Sequence, residues 1–303
     1  MVEAGLAKAT VAISSYRHTS PGAEAIGLRT QGLRYDNIDE ARLPRVAEDF
    51  LVASRTNEWD RDGALSVMDY FADPMIATFG RLDQDSFLEG RTYALPQPNP
   101  IGMELGESVL RRRSVRLFTG DSMSASDLAA LLIYTAGVTG EAEVPLTTGA
   151  HEKYYFRAAP SGGGLYPVEL YVAVINVNGL PKGVYRYSPR RNVLVEHGRA
   201  MSVDELAASI STPDDQLNTR GAAAILLFGA TPWRSMRKYG PRGLRFVFHE
   251  AGAMSEHVHL ISTSLGLGST DCSSFYDDKA NLALGFDGQF RFLAHMAVVG
   301  WPA

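Results

Sequence analysis

The sequence predicts an α+β fold, and three observations carry the prediction. Val247, Ala251, Met254, Val258, Ile261 and Leu265 are spaced 4, 3, 4, 3 and 4 apart, which is one face of an amphipathic helix ending at Gly266. Residues 168–177 are rich in β-branched side chains and are followed by the turn pair Asn178-Gly179, a second short run at 183–187, and Ser188-Pro189. That is the pattern of an antiparallel meander. Strands and helices are therefore mixed with hairpins rather than strictly alternating, so a purely parallel sheet is not expected.

The remaining elements follow in chain order. Residues 45–55 read as a helix with Val46, Phe50 and Leu51 inward, and residues 64–77 as another. Three prolines within Pro96-Gln97-Pro98-Asn99-Pro100 stop helix and strand alike and read as a linker. Ser124 stands three residues before Asp127, which is capping-box spacing with Asp in place of Glu or Gln. The helix it opens carries Leu128, Leu131, Leu132 and Thr135 on one face and closes at Gly137. Ser202-Val203-Asp204-Glu205 is a full capping box for a helix through Ile210. Residues 222–228 form a second buried strand, and residues 291–299 a last one.

Composition narrows the function classes. The 303 residues are 45% hydrophobic and 21% charged, enough apolar material for a real core. The formal charge of -5 argues against a dedicated nucleic-acid binder. The single cysteine, Cys272, excludes an internal disulfide and any multi-cysteine metal site. Without an apolar run near 18 residues or a basic-then-apolar N-terminus, a soluble cytoplasmic protein with no membrane partner is expected.

Four motifs stand out. Arg111-Arg112-Arg113-Ser114-Val115-Arg116 sets four arginines and a hydroxyl within six residues. Guanidinium groups donate in a planar fork that matches phosphate oxygens, although a lone basic run more often forms a solvated turn. Pro160-Ser161-Gly162-Gly163-Gly164 precedes a strand, and its flanking prolines Pro160 and Pro167 point to a shaped surface rather than a floppy loop. Leu265-Gly266-Leu267-Gly268 fails as a dinucleotide fingerprint because it follows a helix and lacks a third glycine. Lys238-Tyr239 reads as part of a loop bounded by Pro232, Gly240 and Pro241. An ammonium beside a phenol lowers the phenol's pKa, which makes a general base, whereas an exposed lysine next to a core tyrosine is the more common arrangement. His249, His257 and His259 lack metal-site spacing and read as surface or capping residues, so no metal is expected. Asp277-Asp278 reads as a solvated turn.

In order and spacing these motifs resemble the flavin-dependent nitroreductase superfamily, over about two thirds of the chain from Leu95 to Pro302. Within it the sequence is similar to the SagB-type azoline dehydrogenases of thiazole/oxazole-modified peptide biosynthesis. The resemblance rests on Leu-Pro-x-Pro at Leu95, Arg-Arg-Ser-x-Arg at Arg112 and the Ala159–Tyr171 motif. It rests equally on Lys-Tyr-Gly-x-Arg-Gly at Lys238, Glu-Ala-Gly at Glu250 and Leu-Gly-Leu-Gly at Leu265.

The resemblance implies an intertwined homodimer with FMN between the subunits. It implies a nitroreductase-like domain at 95–303, with an antiparallel-rich sheet flanked by helices, and an N-terminal extension at 1–94 whose role it does not assign. Arg112, Arg113, Ser114 and Arg116 match the segment holding the FMN phosphate and ribityl chain. Pro160, Ser161, Gly162 and Gly163 match a loop approaching the flavin from the partner subunit. Leu267 and Gly268 match backbone near the flavin N5 edge, and Gln216 a polar residue near the ring. Lys238 and Tyr239 match a pair linked to azoline oxidation.

The implied substrate is a cyclodehydrated peptide presented by a YcaO-type cyclodehydratase and its partner protein. An NAD(P)H-dependent nitroreductase or flavin reductase is the alternative within oxidoreductases, and a flavin-free scaffold subunit the alternative outside them. Two departures from the family pattern are Gly162, where alanine is common, and Gly300-Trp301-Pro302, where Gly-Arg-Pro is frequent.

Overall fold

A computed structural model describes residues 46–55, 65–68, 70, 90–145, 151–197 and 203–303. Its elements in chain order are α1 (Val46–Ala53), β1 (Thr92–Ala94), α2 (Leu105–Arg111), α3 (Ala125–Ala136), β2 (Val138–Pro145), β3 (His151–Arg157), β4 (Val168–Val174), β5 (Gly183–Ser188), β6 (Val193–Glu196), α4 (Val203–Ala207), β7 (Ala224–Ala230), α5 (Trp233–Tyr239), α6 (Gly243–Ser264), β8 (Gly268–Cys272), α7 (Asp277–Leu284) and β9 (Phe292–Gly300). The architecture is α+β, as the sequence predicts.

Seven strands form one sheet in the order β1-β6-β5-β4-β7-β9-β8. Every pairing in it is antiparallel. The meander β4-β5-β6 is the one that the Asn178-Gly179 turn foretells. β4 and β7 are buried along their whole length, because helices or loops cover both faces of the sheet centre. On one face α3 and α6 cover Val168, Leu170, Val172, Leu226, Phe228 and Ala297. On the other, Tyr171, Ile225, Leu227, Met296 and Val298 pack with residues of α4 and α7.

Two helices show why the sequence patterns work. Ser124 caps α3 by accepting from the Asp127 amide at 3.0 Å, and its hydroxyl donates back to the Asp127 carboxylate at 2.6 Å. α6 buries Val247, Ala251, Met254, Val258 and Ile261, the seam read from the sequence.

Several expectations need correction. Residues 92–94 lie on the extension side of the proline-rich stretch, yet they pair with β6 and form the sheet's edge. The β2–β3 hairpin was not anticipated. Leu51, expected inward, is exposed, while Phe50 is half-buried. Asp277 and Asp278 open α7, where carboxylates favour the positive helix end. Of the helix expected over 64–77, residues 65–68 and Tyr70 are helical and the rest lie outside the described residues. No helix among the described residues is long and apolar enough to cross a membrane.

Candidate functional site

The site residues named from the sequence fall into two clusters. The first forms where the chain leaves α2. Arg111, Arg112 and Arg113 follow one another at that end, and Ser114 then bridges to Ser269 of β8, with the Val115 amide donating to the Ser269 carbonyl at 2.9 Å. Gly268 is required there: a Cβ would stand 2.7 Å from the Val115 Cβ. The Arg112–Arg116 segment and Leu267-Gly268 are thus side by side.

Gln216 joins them through its turn, because the Asn218 amide donates to the Arg116 carbonyl at 2.9 Å. Arg113, Ser114, Arg116 and Gln216 are exposed, and Arg112 is half-buried. The Arg113 guanidinium is tied to the carbonyls of Leu110 and Arg112 at 2.9 and 2.8 Å. Arg116 makes a 3.4 Å contact with the Ser114 carbonyl, so its fork is weakly engaged within the chain. Trp301, standing where an arginine is frequent, donates to the Ser122 carbonyl at 3.1 Å and brings no charge.

The second cluster is the glycine loop with the Lys-Tyr pair. Residues 162–164 form a 3₁₀ turn in which Gly163 and Gly164 have φ of 68° and 66°. The loop is well tied, as its flanking prolines suggest. The Tyr166 amide donates to Ser161 Oγ at 2.9 Å, and the Arg157 amide donates to the Tyr166 hydroxyl at 3.0 Å. These bonds hold Tyr166 at φ 46°, a conformation few side chains adopt.

Beneath the loop, Arg234 binds the Tyr166 carbonyl at 2.9 Å and the Glu169 carboxylate at 2.8 Å. Arg186 and Arg291 also reach Glu169, at 3.1 and 2.6 Å. Burial opposes ionisation of Glu169, but the three guanidinium groups outweigh it and lower its pKa to about 2. Glu250 of α6 behaves in the opposite way. It accepts from the Val168 amide at 3.2 Å, and burial pushes its carboxyl up to about 7 against the pull of Ser161 and that amide.

Lys238 and Tyr239 are not in a loop. They form the last turn of α5, with Pro232 and Gly240 at its two ends. Proline is tolerated at a helix start because it lacks only an amide that has no partner there, so this proline–glycine pair frames a helix. Lys238 is 7% exposed, which excludes the surface-lysine reading.

Lys238 Nζ lies 5.2 Å from the Tyr239 ring centroid. Burial raises the Tyr239 pKa, the opposite of the lowering expected from Lys238, because taking the phenol out of water disfavours its anion. Both side chains meet the glycine loop. A Cβ on Gly163 would stand 2.2 Å from the Tyr239 hydroxyl and 3.2 Å from Lys238 Nζ, and one on Gly162 would stand 3.0 Å from the Phe246 ring.

The two clusters lie at opposite ends of the sheet. Val168, next to the loop, pairs with Ala230, which pairs with Phe292 at the start of β9. Gly268 pairs with Gly300 at the end of β9. The eight steps between them span about 26 Å of strand.

Sequence reasoning missed a third group. His259 is buried rather than a surface residue; it contacts Ser269 Oγ at 2.7 Å and Asp271 at 3.2 Å. His295 contacts Asp271 at 2.8 Å. Burial opposes ionisation of Asp271, but hydrogen bonds from His259, His295 and Ser255 outweigh it and hold the carboxyl far below its usual range. These residues line a cavity of about 360 Å³ with Phe248, Gly252 and Ala294. No local motif marks it in the sequence, because its members come from α6, β8 and β9. Among the described residues no group of three or more His, Cys, Asp or Glu is placed to hold a metal ion.

The exposed arginine segment thus stands at one sheet end and the glycine turn at the other, in an α+β fold shared with a family of oxidoreductases. The sequence pattern of the nitroreductase family matches residues 109–301, and the chain belongs to that family. It is 33% identical to the nitroreductase-named protein MJ1384 of Methanocaldococcus jannaschii, over 63% of this chain and 88% of that protein. It is 26% identical to the microcin B17-processing protein McbC of Escherichia coli, over 43% of this chain and 49% of McbC. A solved structure, the E. coli microcin synthetase McbBCD complex with truncated pro-MccB17 bound, shares the fold. The TM-score is 0.53 at 18% identity, covering 95% of this chain and 96% of that chain.

Proposed function

We propose that the protein is an FMN-dependent azoline dehydrogenase, oxidising peptide thiazolines and oxazolines to thiazoles and oxazoles. The observation that carries this reading is the pair of a buried Lys238 and a half-buried Tyr239, both against the Gly163 turn. The likeness to McbC, named for processing microcin B17, supports it.

The first cluster suits FMN by the chemistry of its donors. Arg112 and Arg116 bring guanidinium groups and Ser114 a hydroxyl to one segment, the donor set a phosphate takes. Arg113 and Gln216 flank it, and the backbone at Leu267-Gly268 lies alongside. When bound, FMN accepts a hydride, and the protein supplies placement and a base. Pro160, Ser161, Gly162 and Gly163 belong to the other sheet end. Because the two clusters of one chain lie about 26 Å apart along β9, a complete site draws them from two chains of a homodimer.

Forming an aromatic azole removes a proton and a hydride from the ring. Tyr239, its pKa raised by burial, remains a neutral O–H donor at neutral pH. Lys238 Nζ therefore takes the proton, and the Tyr239 hydroxyl orients the substrate. The peptide would arrive from a YcaO-type cyclodehydratase and its partner protein. The test is incubation of the flavin-loaded protein with an azoline peptide, read as the loss of two hydrogens per ring.

The second reading is an NAD(P)H-dependent nitroreductase or flavin reductase, favoured by the likeness to MJ1384. Bleaching of the flavin by reduced nicotinamide, without azole formation, would select it.

A further inference from the structure

The segment ahead of the family domain reaches the Lys-Tyr pair. Tyr70 is 1% exposed, and its ring centroid lies 5.2 Å from Lys238 Nζ, the same separation as the Tyr239 ring. Nζ thus has an aromatic ring from α5 and one from the extension beside it. Tyr70 also packs with Leu165, which follows the glycine turn, and with Tyr239.

Four further hydrogen bonds hold the extension there. Ser66 Oγ donates to the Lys238 carbonyl at 3.1 Å. Arg242 donates to the Ser54 carbonyl at 3.2 Å. Arg245 donates to Ser54 Oγ at 2.8 Å and to the Leu51 carbonyl at 3.0 Å. Arg242 and Arg245 thereby satisfy the Ser54 and Leu51 carbonyls at the C-terminal end of α1, where a helix has acceptors to spare and favours positive charge.

We propose that Tyr70 is a positioning residue for Lys238: the extension completes the catalytic site by placing an aromatic face against the ammonium that forms when Lys238 accepts the substrate proton. The inference rests on Lys238 as the base. A ring face attracts a cation and not the neutral amine, so it stabilises the proton-bearing form and strengthens the base. Among the described residues, the groups that stand against Nζ include the phenols of Tyr70 and Tyr239. The charged Arg242 and Arg245 on the neighbouring turns are engaged with α1 and Ser54.

The test uses the full chain, flavin-loaded, with Tyr70→Phe and forms of that variant carrying one to three ring fluorines, which keep the shape and weaken the ring's pull on a cation. Competitive acylation of lysines across pH, read at Lys238 by peptide mass spectrometry, gives its midpoint without any substrate. The midpoint of Tyr70→Phe is the reference for the series. Successive fluorines should lower it stepwise, by about half a unit to one and a half units in all. Measured at a pH above the midpoint, where Lys238 is wholly the free amine, azole formation should slow in the same order while flavin content stays constant. An unmoved midpoint across the fluorine series would overturn the proposal. A stepwise shift in a protein that converts no azoline would leave the Tyr70–Lys238 coupling standing and remove the azoline reading instead.

Discussion

Gly163 and Tyr239 touch: a Cβ on Gly163 would stand 2.2 Å from the Tyr239 hydroxyl oxygen, and φ at Gly163 is 68°. A glycine turn proposed to approach the cofactor and a tyrosine proposed to orient the substrate therefore share one wall. An alanine at 163 must displace the phenol and also adopt a left-handed conformation, which costs about 1–2 kcal/mol for an L-residue. Gly163→Ala is expected to cut azole formation by about tenfold or more, since displacements near 1 Å are that costly to catalysis. Flavin absorbance should persist. Wild-type turnover in Gly163→Ala would show that the contact has no bearing on the reaction.

The arginine segment makes a contrast between neighbours. Arg116 contacts only a carbonyl at 3.4 Å among its recorded bonds, whereas Arg113 is doubly bonded within its own turn. Arg116→Ala should weaken flavin binding about ten- to a hundredfold, the worth of a charge-assisted bond, and leave thermal stability unchanged. Flavin content after dialysis is the measurement. Full retention by Arg116→Ala would remove that residue from the phosphate site.

Stability should carry the signature of Glu250. Its carboxyl ionises at about 7 in the fold, against an ordinary value of 4.5. Between those values the folded chain holds a proton that the unfolded chain has lost, so stability falls as pH rises through the window. The contribution is fully present below about 4.5 and lost as pH passes about 7. Glu250→Gln, neutral at every pH, should flatten the change in melting temperature between pH 5 and 8 relative to wild type. Parallel curves for the two proteins would refute the assignment.

The parts legible in the sequence were those whose signal is local. α6 could be read because 22 residues repeat one apolar spacing, and α3 because Ser124 and Asp127 cap it. The two site segments were visible as clusters of one residue type. What was hidden depends on residues distant in the chain. The burial of Lys238 comes partly from Tyr70, and that of His259 from a face it shares with β8. Pro232 and Gly240 were read as loop boundaries because the same residues begin and end helices. Tyr239 was expected to be acidified because a neighbouring charge is visible in sequence and desolvation is not.

The most direct measurement is mass spectrometry of an azoline-bearing peptide after incubation with the flavin-loaded protein, for wild type and for Lys238→Ala. General-base catalysis is worth about 10²–10⁴-fold. The account predicts that wild type removes two hydrogens per ring, and that Lys238→Ala keeps its yellow colour but loses activity on that scale. Tyr239→Phe should lose less, and the double variant no more than Lys238→Ala, because the pair acts as a unit. Near-normal azole formation by Lys238→Ala would contradict the account.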